Sequence, residues 1–185
     1  MPKMSSEVAS PFQRSTLNGP TMGTRWSASV DTDDSVNQKA LHQGLAAAVQ
    51  QVDAQMSPWK QGSDLVRLNR APVGAWVDLP PEMLEVLTCA MDIHRLSAGA
   101  FDPCVGALVD AWGFGAVRDA PDAAAIHTAR QAVPCTMHKG LELDRTAGRA
   151  CKRAPVQLDL CGIAKGYAVD RMAAVLQQHG VRHAL

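Results

Sequence analysis

The stretch from Val156 to Gly180, VQLDLCGIAKGYAVDRMAAVLQQHG, constrains the fold of this chain more than any other. Its first six residues alternate: Val156, Leu158 and Leu160 point one way, and Gln157, Asp159 and Cys161 the other, which is the period of a half-buried strand. Gly162 then breaks the strand, a helix follows from Ile163 to His179, and Gly180 supplies its C-cap. A strand delivered into a helix whose first turn carries Lys165 leaves unpaired backbone N–H groups and a positive dipole end beside a lysine. That arrangement suits a phosphate. It equally suits an ordinary tight turn with Asp159 as a cap and Lys165 in solvent, because a short Gly/Lys pattern is weak by itself.

The rest of the chain supplies partners for this unit. With 185 residues, 46% of them hydrophobic, it can bury a core of its own. Residues 1–18 read as a disordered or extended polar tail, and residues 19–185 as one domain. Met22–Val30 alternates like a first strand. Ser35 can cap an amphipathic helix through Met56, and Ser63 a short helix ending near Asn69. A second long helix starts at Pro81 and ends near Gly99, and Asp102 followed by Pro103 opens a short helix running to Trp112. Asp122 caps a small Ala-rich helix. HKGLELDRTAGRACKR reads as a solvated hairpin turning at GRACKR, with VQLDLC as its second strand. The final GVRHAL reads as the opening of a further strand, an odd place for a domain to stop, so the C-terminus is expected to be a truncation.

Charge and cysteine usage remove several classes of function. The 18 basic and 18 acidic residues cancel, so no electrostatic footprint points to nucleic acid. Five cysteines without a CxxC pair indicate neither a disulfide framework nor a zinc site. The six histidines show no paired ligand spacing and receive no role. No membrane span and no signal peptide are evident, which places the chain in the cytoplasm as written.

Four blocks occur in a fixed order: GPTMGTRWSASV, MSPWKQGSDLVRLN, GAFDPCVGALVDAWGFG and DLCGIAKGYAVD. Together they resemble the ApbE family, the FAD:protein FMN transferases, over about Gly19 to Leu185. The resemblance implies an α+β, T-fold-like ApbE fold with helices packed on antiparallel sheet. It implies a bacterial, magnesium-dependent enzyme that takes FAD as substrate and moves FMN through a phosphoester bond onto a Thr or Ser of a target flavoprotein, releasing AMP. Family members are often exported lipoproteins. Two other outcomes fit the same blocks: FAD binding without transfer, and an FAD pyrophosphatase in which water replaces the protein hydroxyl.

Carried over position by position, the resemblance implies FAD contacts at Met22, Trp59, Ala100, Phe101, Asp102, Asp159 and Lys165, and a main-chain carbonyl ligand for Mg2+ at Gly162. Trp112 and Phe114 read as packing and turn residues. The family's other magnesium ligands, an aspartate and a Thr or Ser, belong to a later block resembling TDALSTA that these residues do not contain. Cys161 stands where a small residue or glycine is common, and Cys104 where threonine is frequent.

Overall fold

The computed structural model describes residues 12–117, 119–131 and 136–185. Residues 1–11 of the expected tail, and Cys135, lie outside the described residues. The fold is mixed helix and antiparallel sheet, and the described residues fall in two compact units: those up to 49 together with 170–185, and those between 50 and 169.

In the first unit, strands β1 (Gln13–Thr21) and β2 (Thr24–Thr32) form a hairpin. Residues 13–18, left in the tail by the sequence pattern, are thus the outer end of a strand. The connecting pair is Met22 and Gly23, with φ of 44° and 71°. A two-residue hairpin turn of type I′ needs positive φ at both positions, and its twist matches that of the flanking strands. Met22 is therefore a turn residue, and the alternation it seemed to open begins at Thr24. The buried side chains of β2 are Trp26, Ala28, Val30 and Thr32, as the alternation requires.

Helix α1 (Gln38–Met56) begins two residues later than a cap at Ser35 predicts. The Ser35 hydroxyl turns back onto the Asp33 carboxylate, and Asn37 caps instead: its side chain accepts from the Ala40 N–H at 3.0 Å. Leu41, Leu45 and Val49 pack with the β2 side chains, Met172 and Val181 into one core. Each fully buried leucine there contributes about 1.5–3 kcal/mol. Helix α7 (Cys161–Gln178) ends at Gly180, φ 75°, and the chain returns as β6 (His183–Ala184) beside β2, giving the order β1-β2-β6. Gly44 lets α1 approach α7 closely, since a Cβ there would meet Val175 at 2.9 Å.

The second unit holds α2 (Asp64–Arg70), β3 (Trp76–Asp78), α3 (Pro81–Leu96), a 3-10 turn at Pro103–Val105 and α4 (Gly106–Ala111). It continues with α5 (Ala123–Gln131), α6 (Met137–Gly140), β4 (Leu141–Asp144) and β5 (Arg149–Lys152). Ser63 caps α2, Asp122 accepts from the Ala125 N–H at 3.0 Å at the start of α5, and Pro81 opens α3, as their positions predict.

The hairpin is real but shifted. Its turn is Arg145–Gly148, and RACK, assigned to the turn, is β5, the centre of an antiparallel sheet ordered β3-β5-β4. It is not solvated either: Ala150 and Cys151 are fully buried. The VQLDLC segment pairs with no strand among the described residues, although Val156, Leu158 and Leu160 are buried as their alternation requires. Helix α7 starts at Cys161, so Gly162 lies in its first turn and does not break a strand. Trp112 and Phe114, expected as packing and turn residues, flank the turn at Gly113, whose φ is 80°, and are 45% and 74% exposed, so the turn is found and the burial is not.

Candidate functional site

In the second unit, two segments meet at the start of α7. The first, residues 100–103, leaves α3 through Ala98 and Gly99, whose φ values of 51° and 85° reverse the chain. Ala100 is exposed, its N–H donating to the Ser97 carbonyl at 3.1 Å. The Phe101 N–H donates to the Ser97 hydroxyl at 3.1 Å, and the Phe101 carbonyl accepts from His94 Nδ1 at 2.8 Å. Because a carbonyl only accepts, that contact fixes the proton on Nδ1. The same nitrogen lies 3.8 Å from Asp102 Oδ2, while Asp102 Oδ1 caps the Cys104 N–H at 2.9 Å.

His94 is 5% exposed and carries this arrangement from inside the helix. It occupies the buried stripe of α3 that includes Met83, Leu87 and Ala90. Reading the histidines only for ligand spacing missed it. A histidine on an apolar helical stripe, seven residues before Phe101, was the available signal.

The second segment, residues 156–160, runs extended into α7. Its backbone is satisfied by loops and a side chain: Gly106 N–H donates to the Gln157 carbonyl at 2.9 Å, and Asp159 N–H to the Pro103 carbonyl at 2.8 Å. Between them, the Leu158 N–H donates to Asn69 Oδ1 at 2.8 Å, and Asn69 Nδ2 donates to the Leu158 carbonyl at 2.9 Å. Gly106 must be glycine for this approach, since a Cβ there would sit 2.7 Å from the Gln157 oxygen. Asn69, the last letter of MSPWKQGSDLVRLN, also went unassigned in the sequence, because a side chain that caps a distant backbone leaves no local pattern.

Asp159 Oδ1 accepts from the Cys161 N–H at 2.7 Å, the relation Asp102 has to Cys104. Each carboxylate thus stands at the start of a helical turn and caps one of its N–H groups. A Cβ on Gly162 would lie 3.3 Å from the Phe101 ring, so that ring rests against the first turn of α7. Lys165, exposed one turn on, acts electrostatically on the Cys161 thiol together with Asp159. Burial first, and the Asp159 charge second, push that thiol up to about 11 against the opposing charge of Lys165. Cys161 is therefore a neutral thiol near pH 7 and no nucleophile.

Phe101, Asp102, Asp159, Gly162 and Lys165 are brought together in this way. Trp59, 49% exposed, has no hydrogen-bond or ring partner among the described residues, though its neighbour Pro58 lines a cleft that Asp159 also lines. That cleft, about 530 Å³, is bordered further by Asn69, Arg70, Asp110 and Lys152, and its size is within the range of small-molecule sites. Met22 belongs to the first unit.

No described helix is long and apolar enough to cross a membrane. The described residues also contain no group of three His, Cys, Asp or Glu side chains that could hold a metal ion.

The model of the ApbE family matches residues 22–185. The FAD:protein FMN transferase of Klebsiella pneumoniae (strain 342) is 33% identical over 180 residues, covering 94% of this chain and 51% of the relative. That of Haemophilus influenzae is 31% identical, covering 88% of this chain and 49% of the relative. The chain thus spans about half the length of the curated relatives it matches. Among solved structures, the apo form of the Pseudomonas stutzeri flavinyl transferase ApbE superposes with a TM-score of 0.83 at 31% identity, covering 95% of this chain and 58% of that one. The flavin transferase ApbE of Vibrio cholerae gives 0.84 at 28% identity, covering 94% and 56%.

Proposed function

The chain belongs to the ApbE family, and from that membership we propose that it forms the FAD-holding wall of an FAD:protein FMN transferase. The whole enzyme would cleave the FAD pyrophosphate, join the FMN phosphorus to a Thr or Ser oxygen of an acceptor flavoprotein, and release AMP. One observation carries the assignment to these residues: the 101–102 and 159–165 segments, far apart in sequence, converge at the N-terminal turn of one long helix.

The roles follow from the chemistry each group offers. Asp159 and Asp102 accept hydrogen bonds and suit nucleotide hydroxyls, while Lys165 offers a mobile positive charge to the diphosphate. Such charge on phosphate oxygens lowers the barrier to transfer when it is in place beforehand. Phe101, backed by α7, and the exposed Trp59 offer flat apolar faces to the flavin or adenine. Ala100, exposed and next to Phe101 in the chain, has a side chain too small to crowd a ligand there.

Magnesium, when bound, would neutralise charge on the pyrophosphate. The described residues do not by themselves fit a magnesium site. Gly162 would contribute one carbonyl oxygen, helix geometry directs that oxygen toward the N–H four residues on, and no triad of ligating side chains accompanies it among the described residues. That observation favours a second reading for these residues taken alone, FAD binding without transfer.

The test supplies FAD, magnesium and a Thr-containing acceptor peptide to the protein. Transfer gives AMP and a peptide heavier by one FMN phosphoryl unit. FAD binding with neither product supports the second reading, and free FMN without labelled peptide would mean hydrolysis.

A further inference from the structure

We propose that Asn69 is a positioning residue, whose carboxamide acts as a one-residue strand that fixes residues 157–159 and so sets where Asp159 presents its carboxylate; the consequence for ligand binding rests on the FAD reading above. In an antiparallel sheet, a hydrogen-bonded pair of residues exchanges two N–H to carbonyl bonds. Leu158 makes both of its bonds at this position with one side chain, at 2.8 and 2.9 Å, across 89 residues of sequence. A planar carboxamide can do this because it carries an acceptor and donors on the same group, whereas a carboxylate only accepts.

The clamp is itself anchored. Asn69 lies near the end of α2, whose Ser63 cap is buried, and its own carbonyl accepts from the Lys152 ammonium. Lys152 is 6% exposed and donates from β5, and burial holds its pKa below the usual lysine value. Leu158 is 1% exposed, so without Asn69 its two backbone groups would stand unpaired away from water. The residue after it is Asp159, whose carboxylate already caps α7. A shift at Leu158 therefore moves the carboxylate, and nothing in this geometry requires Asn69 to touch a ligand.

Two readouts on the full chain test this: hydrogen exchange at the Leu158 amide, and FAD affinity by flavin fluorescence in a double-mutant cycle of Asn69→Ala with Asp159→Ala. The expected result is that Asn69→Ala reduces Leu158 protection and weakens FAD binding, each by roughly tenfold. Adding Asn69→Ala to Asp159→Ala should then cost no further affinity, because Asn69 acts only through Asp159. Unchanged Leu158 protection overturns the clamp, and a full additional loss in the double variant overturns the positioning role in favour of direct contact. Should Asn69→Ala fail to fold, Asn69→Asp, which keeps the acceptor and loses the donor, carries both readouts. Absence of FAD binding by the parent chain would contradict the function reading, while Leu158 exchange would still decide the clamp.

Discussion

The two segments that meet at α7 do the same job by opposite means. Within residues 100–103, Phe101 is held by its own neighbourhood: Ser97 and His94, four and seven residues away, bind its N–H and carbonyl, while the Pro103 carbonyl accepts from Asp159 of the other segment. Residues 156–160 are held from afar, by Asn69 and by the loop around Pro103 and Gly106. A locally held wall can reform whenever α3 forms, since its contacts close short loops. A wall held across 89 residues exists only once the unit has assembled. Where chemistry is to occur only in a finished site, the second kind of support ties the carboxylate of Asp159 to completion of the fold.

If this contrast holds, the largest effect should come from the distant wall's buried face. Leu160 is fully buried, and Leu160→Ala is expected to cost about 2–5 kcal/mol of stability by chemical denaturation. A cost under about 1 kcal/mol would show that the segment is not packed as described. Next in size is His94→Ala, which leaves the Phe101 carbonyl without its donor, at about 1–3 kcal/mol. Its local setting predicts that FAD affinity suffers less than in Asn69→Ala; the reverse order, from parallel titrations, would break the contrast.

Ser97→Ala removes a neutral hydroxyl that accepts from the Phe101 N–H and donates to the His94 carbonyl, and should cost about 0.5–1.5 kcal/mol in thermal unfolding. The smallest effect concerns Cys161. Its pKa is raised in the fold to about 11 from 9.0, so the folded state keeps a proton that the unfolded chain gives up between those values. Stability from this group is complete below pH 9.0 and declines as pH rises toward 11. At pH 8, a thiol reagent should modify the exposed Cys89 well before Cys161, as peptide mapping would report. Equal labelling would mean that α7 frays at its first turn.

The same contrast explains what could be read from the sequence. The first wall was legible because its signals are local: Asp102 before Pro103 is a cap, and Pro81 and Gly99 bracket α3. For the second wall the alternation of Val156, Leu158 and Leu160 named the buried face correctly. It also suggested a strand, since periodicity reports which side is buried and carries nothing about what pairs with the backbone. That partner was the side chain of Asn69. The hairpin slipped for a related reason: RACK looked like a turn by composition, and burial between two strands made it the central one. The four blocks identified the family, which the family model then matched over residues 22–185, whereas His94 lies in none of them and Asn69 ends one of them without a pattern that tells its role.

The most direct measurement is a titration of this chain and of its Asp159→Ala variant with FAD, followed by flavin fluorescence. Saturable binding that weakens at least about tenfold in a variant with unchanged melting temperature is the expected outcome, in line with loss of a charged hydrogen-bond partner. Equal affinity in the folded variant would contradict the claim that the segment entering α7 holds the nucleotide.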